Sequence, residues 1–286
     1  MFRQIAEAAW ECADPGIQFS STINRWHTAP NTGPINASNP CSEYLHLDNS
    51  ACNLASLNLL QFLDAENEDQ FDLEGFSHAV RIVFTAQDIL VGNAEYPTEP
   101  IAQTSRDFRQ LGLGYTNLGA MLMALGLPYD SEQARAWTGA VTALMSGHAY
   151  ATSVDLAQRV GAFAGYTSNS EAMQQVLGLH RDALKSVSES APRDVMTAAE
   201  KSWDDAVKGC QQHGIRNSQA TVIAPTGTIS FMMDCDTTGI EPDLGLIKYK
   251  KLVGGGDLTI VNNTVGRALH KLGYDVEQIA DIEKHL

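Results

Sequence analysis

Three reactive side chains stand at alternate positions in the segment ASNPCSEYLHLDNSACNL, residues 37–54. They are the amide of Asn39, the thiol of Cys41 and the carboxylate of Glu43. If the backbone is extended here, all three point to one side, with successive members about 6–7 Å apart. These groups have the chemistry to bind hydroxyls, exchange a hydrogen atom and accept a proton. A turn with a capping amide and a buried thiol is the alternative, and the spacing alone does not exclude it.

A second candidate site, the segment PTGTIS at residues 225–230, directly follows the apolar run ATVIA at residues 220–224. The β-branched run predicts a short buried strand that ends in a polar loop. Gly227 lets the backbone approach a ligand, and the neighbouring hydroxyls and N–H groups suit a phosphate. A helix beginning at Ile229 would add its N-terminal dipole. An ordinary strand-to-helix turn with a threonine cap is the alternative.

Composition excludes several classes of protein. The chain has 286 residues and a formal net charge of −15, which argues against nonspecific binding to nucleic acid. No run of eighteen apolar residues is present to cross a membrane, and the N-terminus lacks the apolar core of a signal peptide, so we expect a cytoplasmic protein. Five scattered cysteines without a C-x-x-C pair indicate neither a disulfide framework nor a zinc site. If these cysteines take part in chemistry, we expect it to be redox or radical chemistry.

The elements that must position these residues alternate between helical and extended patterns. A helix is predicted to end before Asp14-Pro15-Gly16, and residues 14–60 look irregular with short extended pieces. Further helices are predicted over residues 76–93, 107–125, from about 131, after a capping box at 168–171, and over 193–212. Helices feeding a buried strand indicate an α/β fold.

A glycine pattern and a histidine that resemble functional features are predicted to be structural. Gly112, Gly114 and Gly119 superficially resemble a dinucleotide-binding pattern, but the third glycine is too late and the run looks helical, so helix packing is predicted. His148 lies on the apolar stripe of a long helix and is predicted to be a core residue rather than a ligand. The triple glycine at 254–256 is predicted to be a flexible turn.

Four motifs, taken together and in order, resemble the ribonucleotide reductases, and most closely the class II, adenosylcobalamin-dependent enzymes. The motifs are NPCSE at 39–43, ACNLASLNL at 51–59, RNSQATVIAPTGTIS at 216–230 and DCDTTGIEP at 234–242. The segments WECADPG at 10–16 and LGLGYTNLGAMLMALGLPYDS at 111–131 extend the resemblance over nearly the whole chain.

The resemblance implies a fold and a chemistry. The fold is a helix-rich, ten-stranded α/β barrel with a finger loop that holds the radical cysteine, Cys41. A thiyl radical on Cys41, generated with adenosylcobalamin, would take hydrogen from the ribose of a ribonucleoside diphosphate or triphosphate, with Glu43 as the base and Asn39 holding hydroxyls. The substrate-binding residues implied are Asn39, Pro40, Cys41, Ser42, Glu43, Pro225, Thr226, Gly227, Thr228 and Ile229.

The resemblance also implies partners. Cys52 is similar to one member of the family's redox-active cysteine pair, whose other member lies upstream of anything present here. A thioredoxin-like reductant would restore the pair. Residues 1–286 are expected to form one incomplete catalytic barrel domain that needs a complementary reductase polypeptide to turn over. The alternatives are a class I large-subunit fragment and a non-catalytic nucleotide-binding paralogue. We expect neither nucleic acid nor a membrane as a partner. No metal ligands are assigned.

Overall fold

The computed structural model describes residues 1–64, 70–251 and 253–286, in which helices outnumber strands. The helices are α1 Phe2–Cys12, α2 Ser20–Arg25, α3 Leu73–Asn93, α4 Glu99–Phe108, α5 Leu118–Ala124, α6 Glu132–Val160, α7 Tyr166–Ala183, α8 Arg193–His213, α9 Gly227–Met232, α10 Val265–Lys271 and α11 Val276–Glu283. The strands are β1 Asn53–Asn58, β2 Leu111–Thr116, β3 Ile247–Lys251 and β4 Asp257–Val261; short 3-10 turns cover Leu59–Phe62 and Leu184–Ser186.

A parallel sheet lies at the centre of the fold. Strand β1 pairs with β2 from Asn53 opposite Leu111 onward, and all six residues of β2 are buried. Residues 219–222 run along the other edge of β2, where Leu111 N donates to the carbonyl of residue 219 at 2.9 Å. The extended segment predicted at 220–224 is therefore present beside β2, although only one residue of it forms a ladder bridge. These parallel strands confirm the α/β class, and they do not close a barrel within the described residues.

The helix predicted over residues 107–125 is wrong, because β2 occupies its middle. Gly112 and Gly114 are accordingly strand residues, so the predicted helix packing applies only to Gly119, which lies in α5 and whose Cβ would come within 2.8 Å of the Glu241 carbonyl oxygen. A Cβ on Gly114 would lie 2.5 Å from the carbonyl oxygen of Val222, so the neighbouring strand requires a glycine there. A strand buried on both faces has no alternating pattern, which explains the misassignment.

Helices α3, α6 and α8 pack together beside the sheet, as their apolar spacing predicts. Phe76, Phe84, Leu144 and Trp203 are almost fully buried between them. The Ser131 side chain accepts a hydrogen bond from Ala134 N at 3.1 Å, which fixes the start of α6 where it was expected.

Some smaller predictions fail or shift. Helix α7 begins at Tyr166 with Gly165 as its N-cap, so Ser168–Glu171 lies inside the helix and forms no capping box. The reason is that Asn169, which is fully buried, accepts a hydrogen bond from Asn31 N at 2.9 Å and so ties the helix to a distant loop. The imidazole of His148 is half-buried and lines an outer groove instead of the core.

The triple glycine forms a turn, as predicted. Gly254, Gly255 and Gly256 form the turn between β3 and β4, with φ angles of 103°, 100° and 92° that favour glycine. In the described part of the chain no helix has the length and apolarity to cross a membrane. The same residues contain no group of three His, Cys, Asp or Glu side chains that is placed to hold a metal ion.

Candidate active site

The loop that carries Cys41 is a turn, not an extended segment. Ser38 and Leu45 form an antiparallel bridge across its base, and Ser42 N donates to the Asn39 carbonyl at 3.0 Å. Asparagine at the first position and proline at the second favour such a turn, and Ser42 has a φ of 64°. Of the two alternatives for this segment, the turn with a capping amide is therefore the one that forms.

The turn nevertheless presents the thiol to solvent. Cys41 is exposed, whereas the alternative interpretation expected a buried thiol. Asn39 does cap the loop, because its Oδ1 accepts from Tyr44 N at 3.0 Å. The Ser42 hydroxyl accepts from Gln18 Nε2 at 3.0 Å and so anchors the turn from outside. The result is a hydrogen-bonded turn with a solvent-facing thiol.

Cys41 and Glu43 line one cavity of about 470 Å³. Oε2 of Glu43 is buried and has no hydrogen-bond partner within the described ranges, which is costly for a carboxylate unless a ligand supplies a donor. Asn39 lines a neighbouring cavity of about 220 Å³, beside Tyr44 and His46. The structure thus brings the thiol and the carboxylate together and places the amide next to them.

Cys52 lies at the start of β1, on the inner side of this loop. Burial raises the pKa of its thiol to about 12, and the charge of Glu43 adds to the effect. A Cβ on Gly112 would come within 2.4 Å of the Cys52 Sγ atom, so the thiol occupies the space that a glycine leaves open. Cys52 is therefore a protonated thiol at neutral pH, and all five cysteines are free.

A buried polar cluster anchors the loop on its far side. The His46 imidazole is 4% exposed, with Ser218 Oγ 3.0 Å from Nε2 and Gln110 Nε2 3.2 Å from Nδ1. Burial, together with the neighbouring His27, lowers the pKa of His46 to about 3. A neutral imidazole that joins the loop to the start of β2 fixes the position of the turn.

The segment at 225–230 differs in part from expectation. Helix α9 begins at Gly227, two residues before the predicted start, and Thr226 has a left-handed φ of 54°. The Thr226 hydroxyl donates to Thr116 Oγ1 at 2.9 Å and accepts from Ser230 Oγ at 2.9 Å. These two hydroxyls are buried within the protein, so they do not contact a ligand as predicted.

The open donors of this segment are backbone groups. Ser230 N donates to the Thr226 carbonyl, which leaves the N–H groups of residues 227–229 as the orphan donors of the first helical turn. Gly227 and Thr228 are exposed, and a Cβ on Gly227 would meet no atom within 4 Å. An anion can reach these groups.

Sequence reasoning missed the opposite wall of the Cys41 cavity. That wall is formed by Thr142, Met145, Ser146, residues 221–223 and Ile240. Hydroxyl residues recur every four positions on α6, at Thr138, Thr142 and Ser146, and this stripe is the signal that marks a polar face. Only the tertiary fold brings that face to Cys41.

Comparison with known proteins identifies the family. The family model "ribonucleotide reductase, barrel domain" matches residues 1–285. The chain is 54% identical to a vitamin B12-dependent ribonucleotide reductase of Rhodopirellula baltica, over 100% of this chain and 27% of that protein. It is 53% identical to the enzyme of the same name from Streptomyces clavuligerus, over 100% of this chain and 30% of that protein.

A more distant relative gives the same result. The chain is 31% identical to a vitamin B12-dependent ribonucleoside-diphosphate reductase of Mycobacterium tuberculosis, over 99% of this chain and 35% of that protein. The chain thus spans between 27% and 35% of the length of these three relatives. With a family model that matches nearly every residue, the chain belongs to the ribonucleotide reductase family.

Proposed function

We propose that this chain carries the radical and base residues for reduction of ribonucleotides to 2′-deoxyribonucleotides, the precursors of DNA. One observation carries the proposal: the exposed Cys41 thiol and the unpartnered Oε2 of Glu43 line the same cavity. A thiol that exchanges hydrogen and a carboxylate that accepts a proton are the two groups that chemistry at the C3′ carbon and its hydroxyl requires.

The proposed roles follow from these positions. The sulfur of Cys41 takes the hydrogen atom from C3′ and later returns it, while Glu43 accepts the proton of the 3′-hydroxyl. The C2′–O bond breaks and its oxygen leaves as water. Two thiols supply two electrons and two hydrogens and close to a disulfide, so that ribonucleotide and dithiol become deoxyribonucleotide, disulfide and water. Cys52, which keeps its proton at neutral pH, is one of these thiols.

The remaining residues bind the substrate in this proposal. The Asn39 Nδ2 group, which donates to no acceptor in the described part of the chain, holds a ribose hydroxyl beside the Pro40 and Ser42 turn. The N–H groups of Gly227, Thr228 and Ile229, after Pro225 and Thr226, bind the phosphates. The exposure of Gly227 and Thr228 at the first turn of α9 supports this assignment.

Adenosylcobalamin is the cofactor that we propose, because vitamin B12 appears in the names of the relatives. When bound, it supplies the carbon radical that oxidises a thiol. Cys41 fits as the thiol concerned, since it is exposed in a hydrogen-bonded turn and accessible from outside. The relatives' names also favour this cofactor over the class I alternative.

The partners belong to the same proposal. A thioredoxin-like protein reduces the disulfide, and a complementary polypeptide adds strands toward a ten-stranded barrel, of which residues 1–286 are one part. The outer edge of β1 and the outer edge of residues 219–222 support this, because neither is paired by a described strand. A cytoplasmic location, where thioredoxin keeps thiols reduced, agrees with five free cysteines.

Replacement of Cys41 tests the proposal. In an assembly of this chain with its complementary polypeptide, adenosylcobalamin and thioredoxin, we expect Cys41→Ser to bind ribonucleotide normally and to form no deoxyribonucleotide. Cys12→Ser is the matched control, because Cys12 on α1 is also an exposed thiol. Unchanged reduction by Cys41→Ser contradicts the proposal.

A further inference from the structure

One side-chain amide joins the two arms of the turn that carries Cys41. Gln18 precedes α2, and its Nε2 group donates to Ser38 Oγ at 2.5 Å and to Ser42 Oγ at 3.0 Å. Ser38 comes before Cys41 in the chain and Ser42 follows it, so a single amino group spans the turn. Its two hydrogens are both used, one for each hydroxyl oxygen.

The hydroxyl of Ser38 determines which end of the amide faces the turn. Of its two acceptors the Asn39 carbonyl is the nearer one, at 2.8 Å against 3.4 Å for Ser42 Oγ. With its one proton used there, Ser38 Oγ can only accept from Gln18, and this requires the amino group of the amide. A side chain that cannot donate does not replace Gln18.

The turn depends on such contacts because Ser42 has an uncommon backbone conformation. Its φ of 64° lies in the left-handed region, which is costly for most residues that carry a side chain. The hydrogen bond from Ser42 N to the Asn39 carbonyl, 3.0 Å long, closes the turn through the backbone. Gln18 closes it a second time through the side chain of the same serine.

These contacts reach the cavity of the candidate site. Cys41, Ser42 and Glu43 line it together, and Cys41 lies between the two serines that Gln18 holds. Transfer of a hydrogen atom depends steeply on the position of the sulfur, because a misplacement of about 1 Å can lower a rate about a hundredfold. A contact that fixes both arms of the turn therefore bears on the rate of the reaction.

A second amide of the same segment provides a comparison. Asn24 on α2 donates from Nδ2 to the Ile35 carbonyl at 3.1 Å and accepts from Ile35 N at 2.9 Å. Ile35 is buried and lies six residues before Cys41. Asn24 thus satisfies the backbone of a buried residue, which supports the fold, whereas Gln18 bonds to hydroxyls on the turn itself.

We propose that Gln18 is a positioning residue for hydrogen-atom transfer by Cys41; this inference rests on the proposed function. Its amino group holds Ser38 and Ser42, so that the thiol between them keeps the position that the reaction needs. In this role Gln18 acts through the two serines and not on the substrate.

Steady-state kinetics of the complemented assembly test the inference. Gln18→Ala removes the amide, and Gln18→Glu keeps its shape but replaces the amino group by an oxygen that cannot donate at neutral pH. Gln4→Ala is the matched control, because Gln4 is an exposed glutamine on α1. Asn24→Ala shows the effect of losing a contact that supports the fold.

We expect both Gln18 variants to lower kcat about tenfold and to leave KM for the ribonucleotide within about twofold, because the groups that contact the substrate remain. Their urea midpoints stay close to that of wild type, since Gln18 and Ser42 are exposed. Asn24→Ala lowers the urea midpoint, and Gln4→Ala changes neither kcat nor the midpoint.

Hydrogen exchange in the 286-residue chain gives a readout that is independent of activity. The Ser42 N–H group, which closes the turn, is expected to exchange several-fold faster in both Gln18 variants than in wild type, while the amides of β2 exchange as before. Equal exchange at Ser42 in wild type and variants overturns the inference.

Three kinetic outcomes also decide against it. A wild-type kcat in both Gln18 variants overturns the inference, and a raised KM with unchanged kcat does so because Gln18 then binds the substrate. A lower kcat that is accompanied by a lower urea midpoint overturns it as well, because Gln18 then supports the fold as Asn24 does. Reduction retained by Cys41→Ser has a different meaning, since it overturns the proposed function and this inference with it.

Discussion

The Cys52 thiol lies where a side chain on Gly112 would be, since a Cβ there would come within 2.4 Å of Sγ. The same Cβ would lie 2.7 Å from Leu54 Cδ2 and 3.0 Å from Val222 Cγ2. We expect Gly112→Ala to displace the thiol and to lower the free energy of unfolding by about 1–3 kcal/mol. Urea denaturation measures the loss.

A second glycine provides the control for this prediction. A Cβ on Gly178, within α7, would meet no atom within 4 Å. Gly178→Ala is expected to raise the free energy of unfolding by about 0.5–1 kcal/mol, because alanine is the better helix former. If Gly112→Ala is as stable as wild type, the contact between strand and thiol is not as described.

The raised pKa of Cys52 predicts how the thiol reacts. With a pKa of about 12 against an ordinary value of 9.0, on the order of 1 in 1,000 of its molecules is thiolate at pH 9. We expect Cys41, which is exposed, to be alkylated by iodoacetamide well before Cys52, and labelling of Cys52 to rise steeply only above pH 10. Mass spectrometry of the labelled peptides follows both sites.

The charge of the Glu43 carboxylate is the second cause of the raised pKa of Cys52, and burial is the larger one. Glu43→Gln removes the negative charge, lowers the pKa of Cys52 and is expected to speed its alkylation at pH 9 about threefold. Asp48→Asn, which changes an exposed carboxylate on the same loop, is expected to leave the rate unchanged. Equal rates in both variants would place Glu43 too far from Cys52 to act on it.

A buried ion pair joins α3 to the residues that precede β2. Arg109 Nε donates to Asp88 Oδ1 at 2.8 Å with each side chain 9% exposed, and Asn217 Nδ2 donates to the same oxygen at 2.8 Å. Asp88→Ala leaves the Arg109 charge buried and unpaired, so we expect a loss of about 3–5 kcal/mol in the free energy of unfolding. Urea denaturation is again the measurement.

The matched control for the buried pair is an exposed one. Lys201 Nζ and Asp205 Oδ2 are 2.9 Å apart, with side chains 79% and 58% exposed. Asp205→Ala is expected to cost less than about 1 kcal/mol. Similar losses in the two alanine variants would argue that burial does not decide the strength of the inner pair.

The hydroxyls of Thr116, Thr226 and Ser230 form a closed triangle with sides of 2.9, 2.9 and 2.8 Å. It holds Thr226 in a left-handed conformation that a β-branched residue rarely adopts. Thr116→Val opens the triangle, and we expect a loss of about 1–3 kcal/mol in unfolding free energy together with weaker binding of inorganic phosphate. The control is Thr197→Val on the exposed face of α8, which is expected to change the free energy of unfolding by less than about 0.5 kcal/mol. If Thr116→Val does not affect phosphate binding, the hydroxyl triangle does not support the proposed phosphate contacts at residues 227–229.

The spacing of apolar residues predicts the helices that have one buried face. It does not predict strand β2, which is buried on both faces. Helices α3, α6 and α8 follow from apolar spacing, and their bounds agree with expectation to within a few residues. Strand β2 replaces the predicted helix, because its glycines leave room for atoms of β1 and of residue 222, and such tertiary contacts are not visible in local spacing.

The candidate site shows the same division. The types of Asn39, Cys41 and Glu43 indicate the chemistry, but their spacing leaves an extended segment and a turn as alternatives, and the turn at Ser42 is the one that forms. The threonine and serine hydroxyls at 226 and 230 were expected to meet a ligand, whereas a partner 110 positions away from Thr226 engages them. Long-range contacts of this kind leave no mark on local spacing.

In the proposed mechanism, Cys41 carries the radical. The most direct measurement is electron paramagnetic resonance of the complemented assembly with adenosylcobalamin and a ribonucleotide. We predict a cobalamin-coupled radical signal in wild type and in Cys12→Ser, and its complete loss in Cys41→Ser. A signal that persists in Cys41→Ser, or no cobalamin-coupled signal in wild type, would contradict this account.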